Sequence, residues 1–199
     1  MFQAMSRLAR FVGSHRRSIS CLGLLLAAAT GCSDTRRRTA QPEMISNEDA
    51  AQLQPLVHSH AFSMRDVDGT RQLIAGVYQV ENNQWRWTSG DFSIVLATPP
   101  RAATRGASLL FAFAIPDAIL RRTGPVTLAA YLNQTAVGTA TYRTAGAQRF
   151  SAMILPALLR QSPVMINFHL DRFVPKGVLD SRELGFIAES ISLEANENH

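Results

Sequence analysis

The chain is poor in the residues from which most reactions are built. It holds two cysteines in 199 residues, Cys21 and Cys32. It has no C-x-x-C pair, no H-E-x-x-H, no G-x-S-x-G and no glycine-rich phosphate loop. Thiol-redox, zinc-protease, serine-hydrolase and nucleotide chemistry therefore lack their usual scaffolds. His58 and His60 can share one face of a strand, but no third metal ligand stands near them in sequence. His169 lies in an apolar run, where a hydrogen-bonded core histidine is the ordinary outcome. Asp180 and Glu183 are three apart in a turn-like stretch, a spacing that does not place two carboxylates across a sugar ring. The sequence leads us to expect no catalytic residue, no metal, no cofactor and no enzyme. Aromatic residues are scarce too, at 8%.

The positive charge is also less than it first looks. The formal net charge is +5, which by itself suggests a nucleic-acid binder. Arg7, Arg10, Arg16 and Arg17, however, all precede the apolar run ISCLGLLLAAATG at residues 19–31. A basic head, a short apolar segment and small residues at its end make a secretory signal, too short to span a bilayer as a helix. Removing residues 1–31 leaves sixteen basic residues against fifteen acidic ones, a formal +1. No nucleic-acid partner is expected on that balance.

Cys32 follows Ala29-Thr30-Gly31, and this resembles a bacterial lipobox. In such a motif small residues precede a cysteine that is acylated, by palmitate among other chains, and becomes the mature N-terminus. The usual leucine is replaced by Ala29. Each buried methylene of an acyl chain adds about 0.8 kcal/mol, so several chains on one cysteine hold stably to a membrane. Ser33 stands where an aspartate would resemble an inner-membrane retention signal, which directs the expectation to the outer membrane of a bacterial envelope. With one cysteine modified, the mature chain has no disulfide and must rest on its core. Residues 32–57 read as the lipidated cysteine and a flexible tether. Within them Ser46 and Asp49 resemble a capping box before a short helix. The run Arg36-Arg37-Arg38 reads either as solvated tether or as a contact to anionic headgroups.

Residues 58–199 read as one domain with its core at about 71–194. Short β-like runs follow one another: QLIAGVYQVE, WRWT, FSIVLAT, SLLFAFAIP, VTLAAYL, TAVGTATY, QRFSAMIL, VMINFHL and LGFIAESISL. Their lengths, and the turn residues between them, suit an all-β, antiparallel, jelly-roll-like sandwich of about eight to nine strands. Asn133-Gln134 reads as a tight hairpin. IPDAILRRTG and LPALLRQSP read as single helical turns opened by proline.

Two segments carry the functional expectations. In VENNQWRWTSGDFSIVL, residues 80–96, a strand places Trp85 and Trp87 on one face and Arg86 on the other. If exposed, the two rings suit the apolar faces of pyranoses, with Arg86 gripping hydroxyls; if buried, they are large core residues. In LDSRELGF, residues 179–186, Asp180, Arg182 and Gly185 stand just before an apolar strand. We expect a docking device rather than chemistry there. Glu81 and Arg86 would face Asp180 and Arg182 across an ion pair, and Gly185 would let the backbone pass close.

Together the two segments resemble a bacterial β-sandwich domain of unassigned function. That domain is found appended to envelope glycosyltransferases and phosphoglycerol transferases and is often described as carbohydrate-binding-like. The matching residues are Glu81, Arg86 and Trp87, then Pro175, Asp180, Arg182, Leu184 and Gly185. The resemblance spans roughly residues 74–193, and Trp85 replaces the glycine often found before Arg-Trp. The resemblance implies a non-catalytic module that binds an envelope or extracellular glycan, and the Trp-Arg-Trp cluster makes Trp85, Arg86 and Trp87 the candidate contacts. The alternative is a structural or assembly lipoprotein that contacts other envelope proteins and has no sugar site.

Overall fold

The computed structural model describes residues 59–197. The signal segment, Cys21, Cys32, the tether with its helix, and His58 lie outside the described residues. Within them the chain forms nine strands, all paired antiparallel. They are β1 (Ala61–Ser63), β2 (Leu73–Glu81), β3 (Trp85–Leu96), β4 (Ala107–Ile115), β5 (Val126–Leu132), β6 (Thr135–Tyr142), β7 (Gly146–Ile154), β8 (Val164–Leu170) and β9 (Ile187–Ala195). Two short helices, α1 (Ala102–Arg105) and α2 (Asp117–Thr123), and 3₁₀ turns at Asp68–Gln72 and Pro156–Leu159 fill connections.

The strand order is β6-β5-β8-β3-β9-β4-β7, with β1 added on β9 and β2 on β3. Strands far apart in sequence thus interleave, as in a jelly-roll-like sandwich. β3 is the shared element. Its first residues pair with β9, at Arg86↔Ala188 and Trp87↔Ile187. Its second half pairs with β8, from Asp91↔His169 to Leu96↔Val164. The two layers meet on phenylalanines. Phe92 of β3 stacks on Phe168 of β8 at 4.7 Å, and Phe111 of β4 lies 5.2 Å from Phe168. Phe113 stacks on Phe186 at 4.4 Å. Aromatic residues are few, yet those of β3, β4 and β8 pack ring against ring in the core.

Alternation explains the half-buried strands. In β5 the residues Val126, Leu128, Ala130 and Leu132 are all buried, with half-buried ones between. β8 is buried along nearly its whole length, which accounts for its unbroken apolar run. Asn82-Asn83 and Asn133-Gln134 have left-handed backbone, φ 51°, 54°, 52° and 65°, and form the β2–β3 and β5–β6 hairpins.

Three expectations about elements need correction. WRWT and FSIVLAT are one strand, because Gly90 does not break it: a Cβ there would fall 2.2 Å from the Phe173 ring. The bare α-carbon lets that ring pack against a continuous strand. The sandwich starts at β1, ten residues before the expected onset of the core, with Phe62 and Met64 fully in the core. IPDAILRRTG holds the seven-residue α2 instead of a single turn, closed on Gly124 at φ 70° and supported by an Asp117–Arg121 ion pair.

Candidate functional site

The two segments singled out in the sequence meet. Asp180 Oδ1 accepts from the Arg182 backbone N–H at 2.9 Å, which folds the stretch into an Asx turn. The same carboxylate then takes the Arg182 guanidinium in a two-pronged grip, from Nε at 3.1 Å and from Nη2 at 2.9 Å. Arg182 Nη1 reaches Glu81 at 2.7 Å, and its guanidinium carbon lies 5.2 Å from the centroid of the Tyr78 ring. Beside it Glu183 Oε1 accepts from Gly90 N–H at 2.7 Å. The Arg182 fork holds the Asp180 carboxyl well below the usual carboxylate range, and Asp180 and Glu81 raise the arginine in return. Burial pushes the Tyr78 hydroxyl up, with the Glu183 charge adding to it.

Gly185 completes the joint by close approach. Its N–H donates to Thr88 O at 2.7 Å, and a Cβ there would lie 2.5 Å from Ser89 O. Phe186 N–H then donates to the Thr88 hydroxyl at 3.0 Å. An isolated bridge Val174↔Leu184 closes the intervening loop Pro175–Glu183.

Arg86 is elsewhere, and its expected roles are corrected. It faces away from Trp85 and Trp87 and is only 2% exposed. Nε donates to Met64 O at 2.9 Å, Nη2 to Asp66 O at 3.1 Å and Nη1 to Tyr78 O at 3.2 Å. All its partners are main-chain oxygens. Burial lowers its pKa. It neither pairs with Asp180 nor remains free to grip a ligand, since its donors are consumed inside the fold. Trp87 packs half-buried against the core, and Trp85 is half-buried beside the β2–β3 hairpin. His169 bonds Asp91 Oδ1 through Nδ1 at 2.6 Å on a partly exposed face rather than in the core.

A different surface has the shape of a binding site. Across β7, β4 and β9 the outward residues form rows, Ser151–Leu110–Ser192 and Arg149–Ala112–Ser190. These rows line a groove of about 430 Å³, with Arg149 at one flank and Glu194 at the other. Two further depressions adjoin it, one past Met153 and Glu194, the other past Gln148 and Glu189. Its volume falls within the roughly 300–1,000 Å³ of small-ligand sites. Three strands at about 4.8 Å spacing make a floor about 10 Å wide. The floor is apolar at Leu110 and Ala112, and the rim offers three hydroxyls, a guanidinium and a carboxylate. These residues were missed in the sequence. The alternation in AESISLEA and QRFSAMI marks polar faces, but only the register sets them side by side.

No family model matches the chain, and no curated protein matches it. Among solved structures it is similar to the CBM51-2 and INT domains of Clostridium perfringens ZmpB, at 11% identity and a TM-score of 0.35. That match covers 70% of this chain and 29% of the other. The same domains with GlcNAc match equally, and the M60 catalytic domain with CBM51-1 and CBM51-2 matches at 0.34, covering 14% of that chain. The chain spans less than a third of the length of these structures. The likeness is loose and carries no inference about a ligand.

Proposed function

We propose that the chain is a lipid-anchored bacterial envelope protein whose sandwich binds a glycan without catalysis, through the groove on β7, β4 and β9. Acylation at Cys32 and placement in the outer membrane are part of this reading, and so is the resemblance to the domain appended to envelope transferases. The joint of Glu81, Asp180, Arg182 and Gly185 serves as the docking device that fixes the last strand.

The observation that carries the proposal is the lining of the groove. Glycans offer dense hydroxyls and apolar C–H faces in alternation. Ser151, Ser190 and Ser192 can both donate and accept, Arg149 only donates, and Glu194 only accepts. Leu110 and Ala112 supply the apolar contact. The test is a glycan array probed with the full chain, alongside Arg149→Ala. Binding lost in the variant supports the groove. Binding that persists unchanged, or an array with no hits, removes it.

The assembly reading is favoured by one observation. The loop Pro175–Glu183, held rigidly by the Arg182 joint, presents Val178 and Leu179 to solvent. A photo-cross-linker at Val178 that captures one envelope protein in living cells, in an array-negative chain, supports that reading instead.

A further inference from the structure

We infer that the sandwich rests one of its ends on an anionic lipid surface, namely the end through which the chain leads back to Cys32. The inference rests on the anchored part of the proposal above and adds an orientation to it.

The described chain begins at Ser59. Its carbonyl accepts from Ala97 N–H at 2.9 Å, and His60 O accepts from Leu193 N–H at 2.8 Å. The next residue of that strand end, Thr98, donates from its N–H to Ser162 Oγ at 3.0 Å and from its hydroxyl to Gln161 O at 2.6 Å. The start of β1 and the ends of β3 and β9 therefore meet the segment after the Pro156–Leu159 turn. The helix α1 and the end of β7 share this place. A Cβ on Gly106 would lie 2.6 Å from Ile154 O and 3.1 Å from Asn196 Nδ2.

Exposed aliphatic and cationic side chains gather here. Met153 is 71% exposed and Leu155 64%, the two most exposed large apolar residues among those described. Arg101 and Arg160 are exposed and Arg105 is half-buried. Among the described residues none of the three has a carboxylate within ion-pair distance. Glu194 and Glu197 line a depression beside Met153. Arg101 also sits at φ 68°, a backbone state that glycine takes more cheaply, yet the position carries a cation.

Aliphatic side chains projecting among free guanidinium groups match the layered chemistry of a bilayer surface, with acyl boundary below and phosphate above. The anchor makes this contact intramolecular. Only 26 residues separate Cys32 from Ser59, which span at most about 90 Å. Weak contacts suffice at such effective concentration. The loop that carries Val178 and Leu179 is packed elsewhere, through Arg182, Glu183 and Gly185 on Glu81, Gly90 and Thr88.

The test uses the full chain carrying Cys21→Ser and one reporter cysteine, Met153→Cys or Leu179→Cys, labelled with a fluorophore. The protein is placed in vesicles of phosphatidylethanolamine and phosphatidylglycerol. We expect iodide to quench the label at 153 at least threefold less than the label at 179. Adding Arg101→Glu and Arg160→Glu, or using phosphatidylcholine alone, should restore quenching at 153. Equal quenching at the two positions overturns the inference. Mass spectrometry of the N-terminal peptide reads the anchor separately. An unacylated Cys32 refutes the anchor, whereas an acylated chain with equal quenching refutes the docking alone.

Discussion

Replacing Arg86 by methionine tests the interior of the fold most directly. The substitution keeps a long, mostly apolar side chain in place, so the cavity term is small. What it removes is the guanidinium that donates to three carbonyl oxygens, those of Met64, Asp66 and Tyr78. Those acceptors belong to the main chain and cannot be deleted with their partner. Replacing both members of a buried polar pair by apolar groups can be neutral, but stripping one member costs the desolvation of the other. A lost hydrogen bond to a charged group is worth about 1.5–3 kcal/mol, and the three share one guanidinium and do not add fully. Against this stands the cost of burying the cation in the parent, which the substitution relieves. The net expectation is a loss of about 3–5 kcal/mol, a large part of the roughly 5–15 kcal/mol that holds an ordinary domain together. Urea denaturation followed by tryptophan fluorescence measures it, with Trp85 and Trp87 as reporters beside the mutated strand position. Arg86→Lys should fall between, since one ammonium cannot reach all three oxygens. An Arg86→Met protein within about 1 kcal/mol of the parent would refute the claim that the carbonyl clamp matters.

Four further outcomes are expected. Gly185→Ala should cost about 1–3 kcal/mol in the same assay, because its methyl would meet a backbone oxygen that cannot swing away. Burial pushes the Tyr142 hydroxyl up to about 12. The unfolded chain releases this proton near pH 10 and the folded chain does not, so stability is full below 10 and falls as pH climbs towards 12, by about 2–3 kcal/mol. Tyr142→Phe should flatten that part of the alkaline profile. Asp180 is depressed, so its contribution is present above about pH 4 and is lost on acidification; Asp180→Asn should show a shallower acid limb. Fatty-acid labelling in cells should disappear in Cys32→Ser and survive in Cys21→Ser, and a label retained in Cys32→Ser excludes the anchor.

The legible parts of this chain were those in which one residue's chemistry settles the local structure. Val126–Leu132, Thr135–Tyr142 and Val164–Leu170 coincide with their strands because turn residues or prolines bound each apolar run. Complementary charge, with the tendency of first and last strands to lie together, was enough to point Glu81 towards Arg182. The sequence was silent about Arg86, whose partners are all backbone oxygens. Arg86 looked like half of an ion pair because carboxylates can be seen in a sequence and free carbonyl oxygens cannot. The groove was hidden for another reason. Arg149, Ala112 and Ser190 come from three strands, and a register slip of one residue would turn each of them inward.

The carbonyl clamp also bears on how this fold can change over time. An arginine that binds side chains ties their identities to its own, so that each can vary only if the other does. Arg86 takes hold of three separate segments by atoms that every amino acid possesses. The residues at 64, 66 and 78 are thereby released from any obligation to it and answer only to their other neighbours. Relatives that share this joint would keep the arginine while the residues it holds drift freely. A comparison of their sequences would then show an invariant charge with no covarying mate.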